Sequence, residues 1–174
     1  MAATAARVGR LLLPLVLAAC GFHPMYATAP NGQMGPAEAG LAQIAIGLIP
    51  ERSGQELRQA LQERFERGGT GQARRYDLTV GFGLGAEGIG IQPDSSVSRI
   101  RMVGSATWTL TADDPQRSTL AHGTARTVDG YNVFDWQTFA QDLETDAVEK
   151  RITEAIADQI TIQLAAYFNK HAGP

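Results

Sequence analysis

The stretch RIRMVGSATWTLT, residues 99–111, alternates between two kinds of side chain with a period of two. Its apolar members are Ile100, Met102, Ala106, Trp108 and Leu110, and the opposite set is Arg99, Arg101, Ser105, Thr107 and Thr109. Successive side chains of an extended chain point to opposite sides. The alternation therefore predicts a β-strand with one buried face and one face exposed to water.

Three further strands are predicted around it. Tyr76–Leu84 alternates strictly, and Ile44, Ile46 and Leu48 form a shorter alternating run that stops at Pro50. After the turn Asp113-Asp114-Pro115, residues 119–128 form a more polar returning strand, which Asp129-Gly130 is expected to end.

Two amphipathic helices are predicted. The first opens at Ser53, because Ser53-x-x-Glu56 has the spacing of a capping box, and it ends at Gly68-Gly69. The second runs from Trp136 or Thr138 to Phe168 with one continuous apolar face. The residues of that face are Phe139, Leu143, Ala147, Val148, Ile152, Ala155, Ile156, Ile160, Leu164 and Phe168.

The order of these elements is strand, helix, three strands, helix. Each helix and strand has an apolar side that must be buried against another element. The simplest arrangement that buries all of them is an α+β fold with two helices on one face of a mainly antiparallel four-stranded sheet. We predict one domain over residues 41–170, followed by a short tail over residues 171–174.

The first residues have the pattern of a targeting segment. Arg7 and Arg10 precede an apolar run at residues 11–17, which is too short to span a bilayer. The run ends in Leu17-Ala18-Ala19-Cys20, which resembles the bacterial lipobox, with small residues before a cysteine that becomes acylated. Residues 1–19 are therefore predicted to be a lipoprotein signal peptide and Cys20 the lipidation site. An ordinary signal peptide with an incidental cysteine is the alternative.

The composition of residues 20–174, the chain expected after removal of the signal peptide, excludes several classes of partner and site. It has 13 basic and 18 acidic residues, a formal charge of −5, and an acidic balance of this kind argues against nucleic acid as a partner. Cys20 is the only cysteine, so acylation would exclude a disulfide, a thiol nucleophile and a cysteine metal cluster. Residues 20–40, rich in Gly, Pro and Ala, are predicted to tether the lipid to the domain.

No pattern of catalytic, cofactor-binding or metal-binding residues is found. Gly83-Leu84-Gly85-Ala86-Glu87-Gly88 matches the dinucleotide-binding motif, but Gly90 and Pro93 break the helix that this motif requires next. The segment is predicted to be a strand end followed by a loop from Glu87 to Ser98. The three histidines are not spaced as metal ligands, so we expect neither an enzyme nor a cofactor.

Three arginines are candidates for holding an anion. Arg99 and Arg101 share one strand face, and Arg126 lies on the following strand. Guanidinium groups bind phosphate through paired hydrogen bonds, which predicts a local phosphate patch beside the loop. The alternative is that these arginines are ordinary solvated positions on an open sheet face.

The chain resembles the LPS-assembly lipoprotein family, LptE, in its alphaproteobacterial form. The N-terminal part of the resemblance is Cys20-Gly21-Phe22-His23-Pro24-Met25-Tyr26, directly after the lipobox. The C-terminal part consists of Tyr131-Asn132-Val133, Ala140-Gln141-Asp142, Asp146-Ala147, Lys150-Arg151, Ala157-Asp158-Gln159-Ile160 and Leu164-Ala165-Ala166-Tyr167-Phe168.

The resemblance implies a non-enzymatic part in lipopolysaccharide export. It implies an outer-membrane lipoprotein that plugs the lumen of the β-barrel LptD, assists its assembly and binds lipopolysaccharide, for which Arg99, Arg101 and Arg126 are the candidate contacts. Gly21 and Phe22, in place of an acidic residue after Cys20, favour sorting to the outer membrane. Two alternatives are another envelope lipoprotein, such as an auxiliary subunit of a lipid-transport ABC system, and an anchored periplasmic hydrolase.

Overall fold

The computed structural model describes residues 34–68, 71–91, 97–133 and 138–172. The predicted signal peptide, Cys20 and most of the predicted tether lie outside the described residues. In chain order the elements are α1 (Pro36–Leu41), β1 (Ile44–Ile46), α2 (Arg52–Phe65), a 3-10 turn (Glu66–Gly68), β2 (Tyr76–Ile91), β3 (Val97–Ala112), β4 (Thr119–Asn132) and α3 (Thr138–His171).

The four strands form one sheet in the order β1-β2-β3-β4. β1 runs parallel to β2, and the two other pairings are antiparallel. The predicted α+β fold and its strand–helix–three strands–helix order are therefore confirmed, with the short helix α1 ahead of them. The predicted faces of β2 and β3 are also observed, since Leu78, Val80, Met102, Trp108 and Leu110 are all buried.

The folded body includes the end of the segment predicted to be a tether. Residues Pro36–Leu41 are helical, and Ala37, Gly40 and Leu41 are buried. Gly40 lies directly against Phe168 of α3, because a Cβ on Gly40 would come within 2.4 Å of the ring. The sequence of α1 is too short to show helical periodicity, so only its packing reveals it.

The loop predicted from Glu87 to Ser98 is much shorter than expected. β2 continues to Ile91 and β3 begins at Val97, with unbroken pairing up to Ile89 opposite Arg99. Glycine is a poor strand former by itself, but the partner strand supplies hydrogen bonds that override that preference. The residues of the dinucleotide-like motif consequently lie inside β2 and not at the start of a helix.

The predicted end of β4 at Asp129-Gly130 is also wrong. The strand continues to Asn132, and Gly130 pairs with Arg101. A Cβ on Gly130 would lie 2.5 Å from the Ile100 carbonyl oxygen, so this glycine permits close strand approach instead of marking a turn.

Helix α2 begins one residue before the predicted cap. Its N-cap is Glu51, with φ of 68°, and no side chain caps the helix, so Ser53 lies inside the first turn. The physical reason is tertiary packing. Ile49 is fully buried and Gly54 lies against it, with Gln55 donating to the Ile49 carbonyl.

Helix α3 has a shorter core-facing stripe than predicted. Val148, Ile152, Ile156, Ile160 and Leu164 are almost fully buried, as expected. In contrast, Leu143 is 59% exposed and Ala147 is exposed. Thr145 already contacts Tyr131 near the end of β4, at 2.9 Å, so the turns before it lie beyond the sheet.

Candidate functional site

The face of the sheet opposite the helices, here called the open face, carries the predicted binding residues. It presents the odd-numbered residues of β2 and β3, because the even-numbered ones pack beneath the helices. The register between β3 and β4 places the even-numbered residues of β4 on the same side. Hydroxyl side chains line much of it, namely Thr79, Ser105, Thr107, Thr109 and Thr124.

Arg99 and Arg101 both lie on the open face and are exposed, as the alternation predicted. Arg101 is directly opposite Glu87 of β2 and forms an ion pair with it. Within the described ranges, Arg99 has no acidic partner in a salt bridge. Arg99 is therefore the better placed of the two to receive an external anion.

Arg126 shares the open face but lies apart from the other two arginines. It pairs with Ser105, whereas Arg101 pairs with Gly130, four residues further along β4. At roughly 3.3 Å per residue this separates them by about 13 Å along the sheet. The three arginines can therefore not enclose a single phosphate, although they line one path along the face.

Glu87 is the residue of this site that the sequence pattern missed. The sequence predicts a loop from Glu87 to Ser98, whereas the structure places Glu87 in β2 beside Arg101. The signal was present in the sequence, because Leu84, Ala86 and Gly88 continue the alternation begun at Tyr76. Glu87 partly neutralises Arg101 and so limits the cationic character of the patch.

A second ion pair lies on the helix side of the sheet. Arg151 of α3 donates a hydrogen bond to Asp129 of β4 at 2.7 Å, and the Asp129 carboxyl also accepts from the Gly130 N–H. Chiefly through the Arg151 bond, the pKa of Asp129 is held below its ordinary value. The pair ties α3 to β4 and leaves Arg151 unsuited to bind an external phosphate.

A groove of about 430 Å³ runs between α2 and α3. Its charged lining is mainly acidic, with Glu63, Glu149 and Glu154 among the carboxylates, while Arg52 and Lys150 are its cations. Such a lining repels phosphate groups, so the groove is not an alternative site for the anion predicted from the sequence.

The described part of the chain contains no group of three or more His, Cys, Asp or Glu residues arranged to hold a metal ion. His122 is exposed on β4, and the ring of His171 stacks near Tyr167 at 4.2 Å between centroids. Across the same described ranges, every helix is too short or too polar to cross a bilayer.

Solved structures share this fold. A protein from Caulobacter crescentus aligns with a TM-score of 0.61 and 21% identity, covering 79% of this chain and 97% of that one. Rare lipoprotein B from Shewanella oneidensis aligns with a TM-score of 0.60 and 14% identity, covering 75% and 99%. A minor lipoprotein from Acinetobacter baumannii gives 0.54 and 15%, covering 72% and 92%. At these identities the likeness establishes the fold.

No curated protein matches the chain in sequence. The family model described as LptE, lipopolysaccharide-assembly, matches residues 41–164, which include β1, α2, the three long strands and α3 as far as Leu164. That span covers most of the chain and most of the folded body, which extends beyond it to α1 and to the end of α3. The chain belongs to the LptE family of lipopolysaccharide-assembly lipoproteins.

Proposed function

We propose that this protein is a non-enzymatic lipoprotein of the outer membrane that plugs and helps assemble an LptD-type β-barrel, and that it binds lipopolysaccharide. Membership of the LptE family supports the assembly role. The observation that supports lipopolysaccharide binding is the placement of Arg99, Arg101 and Arg126 on one exposed sheet face.

The open face is suited to a large phosphorylated ligand. Arg101 and Arg126, separated by about 13 Å along the sheet, can contact separate anionic groups of one extended molecule. Ser105, directly beside Arg126, and Thr107, the next open-face residue of β3, add neutral hydrogen-bonding partners at that end of the path. Among the described residues the helices pack on the opposite face, so a ligand can contact the open face without displacing the core.

The barrel partnership predicts co-purification. The lipidated chain, extracted from envelopes in mild detergent, is expected to carry an LptD-type barrel with it, and depleting the chain is expected to lower the amount of folded barrel. A control extraction uses an unrelated outer-membrane lipoprotein at matched abundance. Recovery of the chain alone, with barrel folding unaffected by depletion, would contradict the assembly role.

The arginine patch predicts a loss of ligand binding on charge reversal. Arg99→Asp with Arg101→Asp is expected to weaken lipopolysaccharide binding at least tenfold, since a hydrogen bond to a charged group contributes about 1.5–3 kcal/mol. Binding is measured with purified lipopolysaccharide by titration, and barrel co-purification is expected to be unchanged.

A matched control reverses two exposed arginines away from the open face, Arg67→Asp with Arg74→Asp. Both double variants change the net charge equally, so a purely nonspecific charge effect would weaken binding in both. Equal binding by the wild-type chain and the Arg99/Arg101 variant would contradict a binding role for these arginines. They would then be ordinary solvated residues on the sheet face. Arg126→Asp tests separately whether the ligand extends along β4.

A further inference from the structure

The outer edge of β2 faces away from β3 and is only partly covered by β1. Tyr76 donates its N–H to the Gln43 carbonyl at 3.3 Å, and the Leu78 carbonyl accepts from the Gly47 N–H at 2.9 Å. The backbone groups of successive strand residues point to alternate sides. The even-numbered residues of β2 therefore direct their N–H and C=O groups toward this outer edge.

Beyond Leu78 these outward groups have no strand beside them, because β1 ends at Ile46. The residues that present them are Val80, Phe82, Leu84, Ala86 and Gly88. Among the described residues none of these backbone groups has a hydrogen-bond partner on the outer side. Residues 85–88 are all exposed, so this edge of the sheet is open to another chain.

The opposite edge of the sheet, on β4, is protected in a way that β2 is not. Gln159 of α3 accepts a hydrogen bond from the Arg126 N–H at 3.1 Å and donates one to the Arg126 carbonyl at 3.2 Å. Gln163 donates to the Thr124 carbonyl at 3.0 Å. Side-chain amides of α3 thus take the place of a neighbouring strand along β4.

The sequence of the β2 edge also lacks the features that keep sheet edges from pairing. Proteins protect such edges with lysine, proline, bulges or a covering element. Residues 79–89 contain no proline or lysine, and their one charged residue is Glu87, which is paired with Arg101. The regular edge ends at Gly90, whose φ is 76°.

We propose that a second copy of this chain pairs with β2, antiparallel, about a two-fold axis at Leu84. The free outward residues run from Val80 to Gly88, bounded by Leu78, already bonded to Gly47, and by Gly90. Only an antiparallel register centred on Leu84 engages all of them. Val80 then lies opposite Gly88 of the second copy, and Phe82 lies opposite its Ala86.

This register is complementary in size and charge. Val80 and Phe82 on the helix side face the small residues Gly88 and Ala86 of the other copy, and the two Leu84 side chains meet at the two-fold axis. Glu87 lies opposite Gly81, so the two acidic side chains do not meet. The contact uses the same surface on both copies, which is the arrangement of a closed two-fold dimer. The contact joins the two sheets into one continuous sheet, and the outward N–H and C=O groups of both β2 strands gain hydrogen-bond partners.

Crosslinking tests the register. Leu84→Cys in the full-length lipidated chain places two cysteines across the proposed axis, about 5.5 Å apart between Cα atoms, which is within disulfide range. Oxidation is expected to convert most of the protein into a disulfide dimer. Thr79→Cys, exposed on the same strand, would lie opposite Ile89 and is expected to stay uncrosslinked. The unmodified chain, which contains only Cys20, measures the background.

Proline substitution tests the edge. Ala86→Pro removes an outward N–H and leaves the bonds to β3 in place, so the dimer dissociation constant, measured by sedimentation equilibrium in density-matched detergent, is expected to rise at least tenfold. Gly85→Pro removes a bond to β3 and is expected to lower thermal stability instead. If Ala86→Pro fails to fold, Ala86→Lys provides the same test by placing charge opposite Phe82.

Each outcome decides the proposal. The proposal is overturned if the protein is a monomer at all concentrations. This holds also if the β2 edge of that monomer binds an extended segment of a different protein. A dimer that forms no Leu84→Cys crosslink, or that persists with unchanged affinity in a folded Ala86 variant, overturns it as well. A dimer that crosslinks at residue 84 and is weakened by the Ala86 variant supports it. None of these outcomes depends on lipopolysaccharide binding or on the barrel.

Discussion

Replacing Trp108 with alanine is expected to lower the free energy of unfolding by about 3–5 kcal/mol, which is the effect typical of removing a large buried aromatic side chain. Trp108 lies in the last third of β3, on the helix side of the sheet, and is only 4% exposed. Native domains have a free energy of unfolding of only about 5–15 kcal/mol, so this single substitution is expected to remove a large fraction of the stability.

The size of this effect follows from the packing around the indole ring. Trp108 pairs with Gly123 of β4, and a Cβ on Gly123 would lie 2.6 Å from the ring. The indole Nε1 donates a hydrogen bond to the Gln163 side chain of α3 at 3.0 Å. One side chain therefore joins β3, β4 and α3, and alanine would leave a cavity between these three elements.

The conservative variant Trp108→Phe separates packing from hydrogen bonding. It retains most of the aromatic bulk and loses the bond to Gln163, so we expect a loss of about 1–2 kcal/mol. Urea unfolding followed by circular dichroism gives both values, with the slope of the transition checked for constancy. A Trp108→Ala loss below 1 kcal/mol would contradict the packing described for this position.

Replacing Cys20 with serine is expected to abolish lipid anchoring and to leave the chain unprocessed and absent from the outer-membrane fraction. Serine has no thiol to acylate, and Cys20 is the only cysteine. A single acyl chain holds a protein to a bilayer only reversibly, whereas several chains hold it stably, at about 0.8 kcal/mol per buried methylene. The folded body is expected to retain wild-type unfolding behaviour, because it lies far along the chain from Cys20.

Envelope fractionation and the mass of the mature N-terminus measure this effect. Gly21→Asp is the matched control, because it keeps the thiol and changes only the residue associated with sorting. That variant is expected to be processed but retained in the inner membrane. Normal maturation and outer-membrane fractionation of Cys20→Ser would refute the assignment of the lipidation site.

Local patterns predicted the identity of the elements well. The two-residue alternation of residues 99–111 placed Trp108 and Leu110 in the core and Arg99 and Arg101 on the open face, as observed. Alternation is reliable here because shifting the register of the strand by one residue would turn every apolar side chain of its buried face toward water. The same reasoning placed Ile152 and Ile160 of α3 in the core.

The ends of the elements were predicted less well. Gly85, Gly88 and Gly130 favour loops when judged alone, yet all three lie in strands. A strand continues as far as its partner supplies hydrogen bonds, and no single stretch of sequence contains its partner. The start of α2 likewise depends on Ile49, which is buried outside the helix.

The candidate site shows the same division. Arg99 and Arg101 are two residues apart, so one strand was enough to place them on one face. The position of Arg126 relative to them required the register between β3 and β4, and the ion pair of Arg101 required the register between β2 and β3. The free edge of β2 was not predictable, because it depends on where β1 ends and on which strand α3 caps.

The sequence by itself determined which side chains face the core, because strand and helix periods act over a few residues. It also carried the resemblance to the LptE family, through short motifs read directly from the chain. Only the tertiary structure decided how long the strands are, how Arg126 and Glu87 lie relative to Arg101, and which edge of the sheet stays open. Each of these depends on hydrogen bonds between segments that are distant along the chain, and such pairing is determined by the fold as a whole.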